Sequence, residues 1–299
     1  MTMAGRRRPG PADDEAVRHP ALREERKAEW IRETGLPFQK RSYLIQLACF
    51  VGLLLVWQIP IVNPVKLLVV LFHEFSHVIA GYATGATIFG MAIDPGGAGV
   101  TLGMGGNQLL IVAAGYIGSL LMGATLYALS AIWKPGDVWI VLTVFSGASL
   151  VMGWLNDFTA IFGYGTLIVM IWGAVYLSDG SKRVILRIVG TASCLYPVLD
   201  VAAELFGVAQ EGFQVRGDTV GSDVIALARL TGMSWELLGI FWAGAGLGLL
   251  AFLVTWSARQ EALGEVRREL FRRGKSRRRA DYQPYDPSHP GNTPTYTIK

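Results

Sequence analysis

Residues 65–83 read VKLLVVLFHEFSHVIAGYA, an apolar run that carries His73-Glu74-Phe75-Ser76-His77 in its middle. On a helix, positions i and i+4 stack on one face, so the imidazoles of His73 and His77 can share one cation while Glu74 flanks it. Neutral imidazole is a good zinc ligand, and a catalytic zinc keeps three protein ligands and one position for water. A carboxylate beside that water is a competent general base. The competing reading is an accident of spacing, or buried hydrogen bonding. The chain has only four histidines, and an ionisable group at the centre of a bilayer costs about 2.5–3.5 kcal/mol on insertion scales. Three of them together point to chemistry.

Working outward, 52% hydrophobic residues, 17% charged residues and a mean hydropathy of +0.38 put the chain in the membrane class. The pattern predicts an all-α polytopic membrane protein with about seven transmembrane helices, at 43–62, 65–84, 107–133, 138–153, 158–177, 184–207 and 235–256. Three regions follow: a charged segment 1–42 with a surface helix at about 20–34, a transmembrane domain 43–257, and a basic tail 258–299. A charged helix is expected to run to Arg273, with disorder from Gly274.

Charge is segregated. Ten Lys/Arg precede Ser42, ten follow Ala258 and seven lie between. The basic ends suit anionic lipid and the positive-inside bias, so the lipid bilayer is an expected partner and nucleic acid is not. Cys49 and Cys194 both sit in apolar runs, which excludes a disulfide framework and a cysteine zinc site.

Between the second and third spans the chain changes character. Residues 85–106 hold no Lys or Arg and much glycine, with β-like runs at 87–93 and 99–102 around Asp94-Pro95-Gly96-Gly97. This is a hairpin signal. An open edge cannot face lipid, so the hairpin belongs at the interface or beside a protein cavity. It serves either as a rim strand that pairs with an extended peptide substrate or as a plain connector. Ala114-Gly115-Tyr116-Ile117-Gly118-Ser119 offers small residues for close helix packing.

Two histidines do not complete a site, and His19 and His289 lie in the polar ends. The third ligand must be a carboxylate from another span. Asp200 leads, because Pro197 loosens the turn before it and an intramembrane carboxylate demands a reason. Asp223 follows, with Ser222-Asp223 also readable as a helix cap; Asp157 and Glu204 come after.

These stretches together resemble the site-2-protease-like intramembrane metallopeptidases, in particular the divergent bacterial M50B-like branch. The similar pieces are the pentapeptide with Ala80-Gly81-Tyr82-Ala83-Thr84-Gly85, then Asp94 to Thr101, Ala114 to Ser119, Leu195-Tyr196-Pro197-Val198-Leu199-Asp200, and Ser222-Asp223 before Leu230-Thr231-Gly232. They come in the family's order between about His73 and Trp242. The resemblance implies Zn2+ held by His73, His77 and an aspartate, with Glu74 activating water to cleave a membrane-protein or peptide substrate in a bacterial cell membrane. Better-known members set the aspartate in an Asn-Pro…Leu-Asp-Gly context, whereas Val201 follows Asp200 here. With seven crossings and a cytoplasmic start, His77 and Asp200 fall at similar depth, although the basic C-terminal segment then lies outside. The rival reading is a non-proteolytic membrane protein, a scaffold or a transporter with a metal site; a diiron oxygenase would need more histidines.

Overall fold

The computed structural model describes residues 63–150, 154–206 and 222–280, with scattered positions between 44 and 57 and the pairs 214–215 and 218–219; beyond residue 264 only helix backbone is described. The expected segment 1–42 and most of the expected first span lie outside the described residues. Every candidate site residue belongs to the compact unit Ser42–Ala258.

Helix α1 (Asn63–Ala83) starts with proline in its first turn, where a missing N–H costs nothing. It stops at Gly85, whose φ of +82° suits a left-handed C-terminal residue, and Ala86 N–H donates back to Gly81 O at 2.8 Å. Strands β1 (Thr87–Ile93) and β2 (Gly99–Met104) then form the expected antiparallel hairpin. Asn107 caps α2 (Gln108–Ile132) by accepting from Leu110 N–H at 3.2 Å. Next come α3 (Pro135–Ser149) and α4 (Asp157–Tyr176), the latter capped by Asn156, which accepts from Thr159 N–H at 2.8 Å. Helix α5 (Asp179–Leu205) runs through Pro197. After the short pair β3 (Gln214–Val215) and β4 (Asp218–Thr219), α6 (Asp223–Thr231) ends on Gly232 at φ +71°, and α7 (Trp235–Ala280) closes the described chain.

Five helices among the described residues are long and apolar enough to cross a membrane: α1, α2, α4, α5 and the first part of α7. The fold is therefore a helical integral membrane architecture in which the hairpin β1–β2 packs beside α1. The expected crossing at 138–153 is not among the five, since α3 has 15 residues, about 22 Å of helix against a hydrocarbon layer of about 30 Å. Seven crossings are thus not reached within the described residues. The tail differs too, because α7 continues to Ala280, past the expected break at Gly274.

Helix α1 occupies the middle: 72% of its apolar window is buried by protein, against 28% for those of α2, α4 and α7. Val69, Val70, Phe72 and Val78 are fully buried, and Leu68, Leu71, Phe72 and Phe75 share a core with Trp139, Leu142, Met170 and Leu186. The outer helices keep large apolar side chains exposed, such as Ile161, Ile168 and Val175 of α4, as a lipid-facing surface requires. The pentapeptide is thereby lodged where protein, not lipid, supplies its polar partners.

Candidate metal centre

His73 and His77 lie one turn apart on α1, ring centroids 4.7 Å from each other and nearly perpendicular. Both are buried. Each ring is oriented from α2. His77 Nδ1 donates to Ile111 O at 2.7 Å, and His73 Nδ1 faces Ser119 Oγ at 3.3 Å. Ser119 is itself placed by α5, because Ser193 Oγ donates to Ser119 O at 2.8 Å. Fixing Nδ1 in this way leaves Nε2 of each ring as the free ligand atom, the usual outer arrangement around a metal-bound histidine.

The close approach of α2 depends on glycine. A Cβ at Gly115 would stand 2.5 Å from His73 Nε2 and 2.5 Å from His77 Cε1, and one at Gly118 would overlap Ser76 Oγ. Ser76 Oγ instead donates to Phe72 O at 2.7 Å, which keeps it within its own helix. Small residues here permit backbone contact with the site face of α1.

Both Nε2 atoms converge on one carboxylate oxygen. Asp223 Oδ2 is 2.8 Å from His73 Nε2 and 3.0 Å from His77 Nε2. One ligand atom from each of His73, His77 and Asp223 falls within 4.8 Å of the others. Asp223 opens α6, which is pinned by Val224 and Leu227 against Tyr116, Leu120 and Trp242. Burial alone would raise its carboxyl, but His77 and His73, by charge and hydrogen bond, outweigh that and hold it well below the usual carboxylate range. That environment favours the ionised carboxylate, the form that binds a metal. The donor set of two imidazoles and a carboxylate fits zinc. His77 adds a sharper test of fit: both its nitrogens face oxygen acceptors, an environment suited either to a doubly protonated ring or to a cation at Nε2.

Asp200, the leading expectation for the third ligand, is placed otherwise. Its Oδ2 accepts a hydrogen bond from the Tyr116 hydroxyl, and it is absent from the three-residue group. Asp157 stands exposed in the first turn of α4, and Glu204 is half-buried in the last turn of α5; both lie outside that group. The sequence reading ranked Asp223 lower because Ser222-Asp223 resembles a cap. In the structure Ser222 has the cap position but its side chain makes no capping bond.

Glu74 is buried next to the histidines. Thr101 of β2 donates from Oγ1 to Glu74 Oε2 at 2.7 Å. Ser119, the Ile111 carbonyl and Tyr116, whose ring meets His73 edge-on at 5.5 Å, were not separately legible in the sequence; their only signal was the small-residue run that brings α2 close.

A family model described as Peptidase M50B-like matches residues 46–256. No curated protein and no solved structure matches the chain. The matched region covers most of the chain and holds His73, Glu74, His77, Asp200 and Asp223, so this protein belongs to the Peptidase M50B-like, site-2-protease-like family.

Proposed function

We propose that the protein is an intramembrane zinc metalloprotease in which His73, His77 and Asp223 hold the metal and Glu74 is the general base. The observation that carries this reading is the convergence of two Nε2 atoms and Asp223 Oδ2, with the Glu74 carboxylate alongside on the same helix. When bound there, zinc supplies Lewis acidity toward water and toward the carbonyl of the scissile peptide. Glu74 takes a proton from the attacking water and returns it to the amide nitrogen as the C–N bond breaks. Ile111 and Ser119 hold the imidazoles in register, and the apolar core around α1 limits bulk water.

The substrate class is a membrane-embedded or membrane-adjacent polypeptide, in the bacterial cell membrane that the family resemblance suggests. Support for an extended substrate comes from the hairpin. The outer edge of β2 pairs with no strand among the described residues, and Thr101 on β2 touches Glu74. A peptide added along that edge would pass the general base.

The test compares membrane proteomes of cells carrying the wild-type chain and Glu74→Gln, with zinc measured on both purified proteins. Intact substrates should accumulate in the variant while each protein keeps about one zinc per chain. Identical proteomes with zinc retained would replace the protease reading by a non-proteolytic metal-binding one.

A further inference from the structure

His73 and His77 are oriented from one side, by α2. Glu74 is held from the other side, by the hairpin. Thr101 Oγ1 lies 2.7 Å from Glu74 Oε2 and 3.2 Å from Glu74 O, so one hydroxyl reaches both the carboxylate and the backbone of the same residue. Threonine is stiff about its first side-chain torsion, which makes it a fixed donor. Two positions earlier, on the same face of the strand, Gly99 lies directly under the carboxylate. A Cβ there would come within 2.8 Å of Glu74 Cδ and of Cγ, and closer still to Oε1.

The hairpin that presents these two residues is anchored at its turn and along its first strand. At its turn, Asp94 Oδ1 accepts from Gly97 N–H at 2.7 Å and Ala98 N–H at 2.9 Å. The buried Lys66 of α1 donates from Nζ to Gly96 O at 2.7 Å. Along the strands, Thr101 pairs with Met91, which is fully buried and whose carbonyl accepts from Leu155 N–H at 3.0 Å. Helix α1 thus grips the hairpin turn through Lys66, and the hairpin returns to α1 at Glu74.

We infer that the hairpin is a clamp on the general base, with Thr101 as a positioning residue and Gly99 as the gap into which the carboxylate fits. This inference rests on the protease reading, and it assigns the sheet a task besides substrate docking: it selects one rotamer of Glu74. A valine at 101 would fill the same space and provide no donor.

The experiment uses the full chain in detergent, loaded with zinc, and fluorescein-labelled casein as the probe. Wild type, Glu74→Gln, Thr101→Val, Thr101→Ser and Gly99→Ala are compared. Thr101→Val and Gly99→Ala should lower kcat roughly 10- to 100-fold, the scale of a misplaced catalytic group, with KM within about twofold and zinc content unchanged. Thr101→Ser should restore most of the rate. A second readout is independent of turnover: the infrared carboxyl band isolated by subtracting Glu74→Gln from wild type should shift in Thr101→Val and return in Thr101→Ser. Wild-type kcat and an unmoved band in Thr101→Val, with Glu74→Gln inactive, would overturn the clamp. Equal cleavage by wild type and Glu74→Gln would instead sink the protease reading, and the infrared band would still decide the clamp. Should Thr101→Val not fold, Thr101→Ala against Thr101→Ser gives the same comparison.

Discussion

Asp223 and His73, 150 residues apart in sequence, meet at 2.8 Å between Oδ2 and Nε2. Their meeting brings α6 to the candidate metal site, although that helix is not one of the five candidate spans. Asp223→Asn should therefore abolish zinc retention, whereas Asp200→Asn should keep about one zinc per chain. Mass-spectrometric metal analysis of the two purified variants separates the assignments, and the opposite pattern would return the third ligand to Asp200.

Glu74→Gln should bind zinc as the wild type does and lose proteolysis by about 10²–10⁴-fold, the usual contribution of a positioned base. Zinc content and the cleavage rate of a membrane-embedded substrate are measured on the same preparation. A variant that binds zinc and cleaves normally removes Glu74 from the chemistry.

Ser119→Ala should weaken zinc binding by about 10- to 100-fold, as loss of an outer partner of a ligating histidine does elsewhere. The effect passes through His73 alone, since His77 is oriented by a backbone carbonyl that mutation does not delete. Competition with a chelator reads the affinity, and an unchanged value would show that the 3.3 Å contact carries no weight.

Gly115→Ala adds a methyl where both imidazoles already stand. It should destabilise the protein by about 1–3 kcal/mol, the range for overpacking, and lower zinc occupancy at the same time. Thermal unfolding in detergent with and without zinc tests both; a larger loss with zinc than without it marks the imidazoles as the groups displaced.

Much of this was legible before any coordinates. The spacing of His73 and His77 placed both rings on one helix face, and the turn Asp94-Pro95-Gly96-Gly97 marked a hairpin whose first strand, Thr87–Ile93, matches the expected run. The acidic partner of the two histidines was harder. A carboxylate buried among apolar helices must have a partner, but that rule does not say the partner is a metal; for Asp200 it is the Tyr116 hydroxyl. Asp223 looked like a cap because Ser-Asp before an apolar stretch is what a helix start requires, and local sequence cannot tell that α6 folds back onto α2. Hydropathy likewise marks the apolar run of α3 without giving the length of its helix, which is 15 residues.

Glycine at 115 and 118 lets α2 ride directly on the His73, Ser76 and His77 side chains of α1, with little slack to absorb a shift. The spacing between those helices and the approach of Asp223 to the two imidazoles are then one quantity. Thickening or thinning of the surrounding lipid, or a detergent that wedges the pair apart, should release the ion while the bundle remains folded. Metal retention would in that case be governed by bilayer mechanics as much as by metal supply.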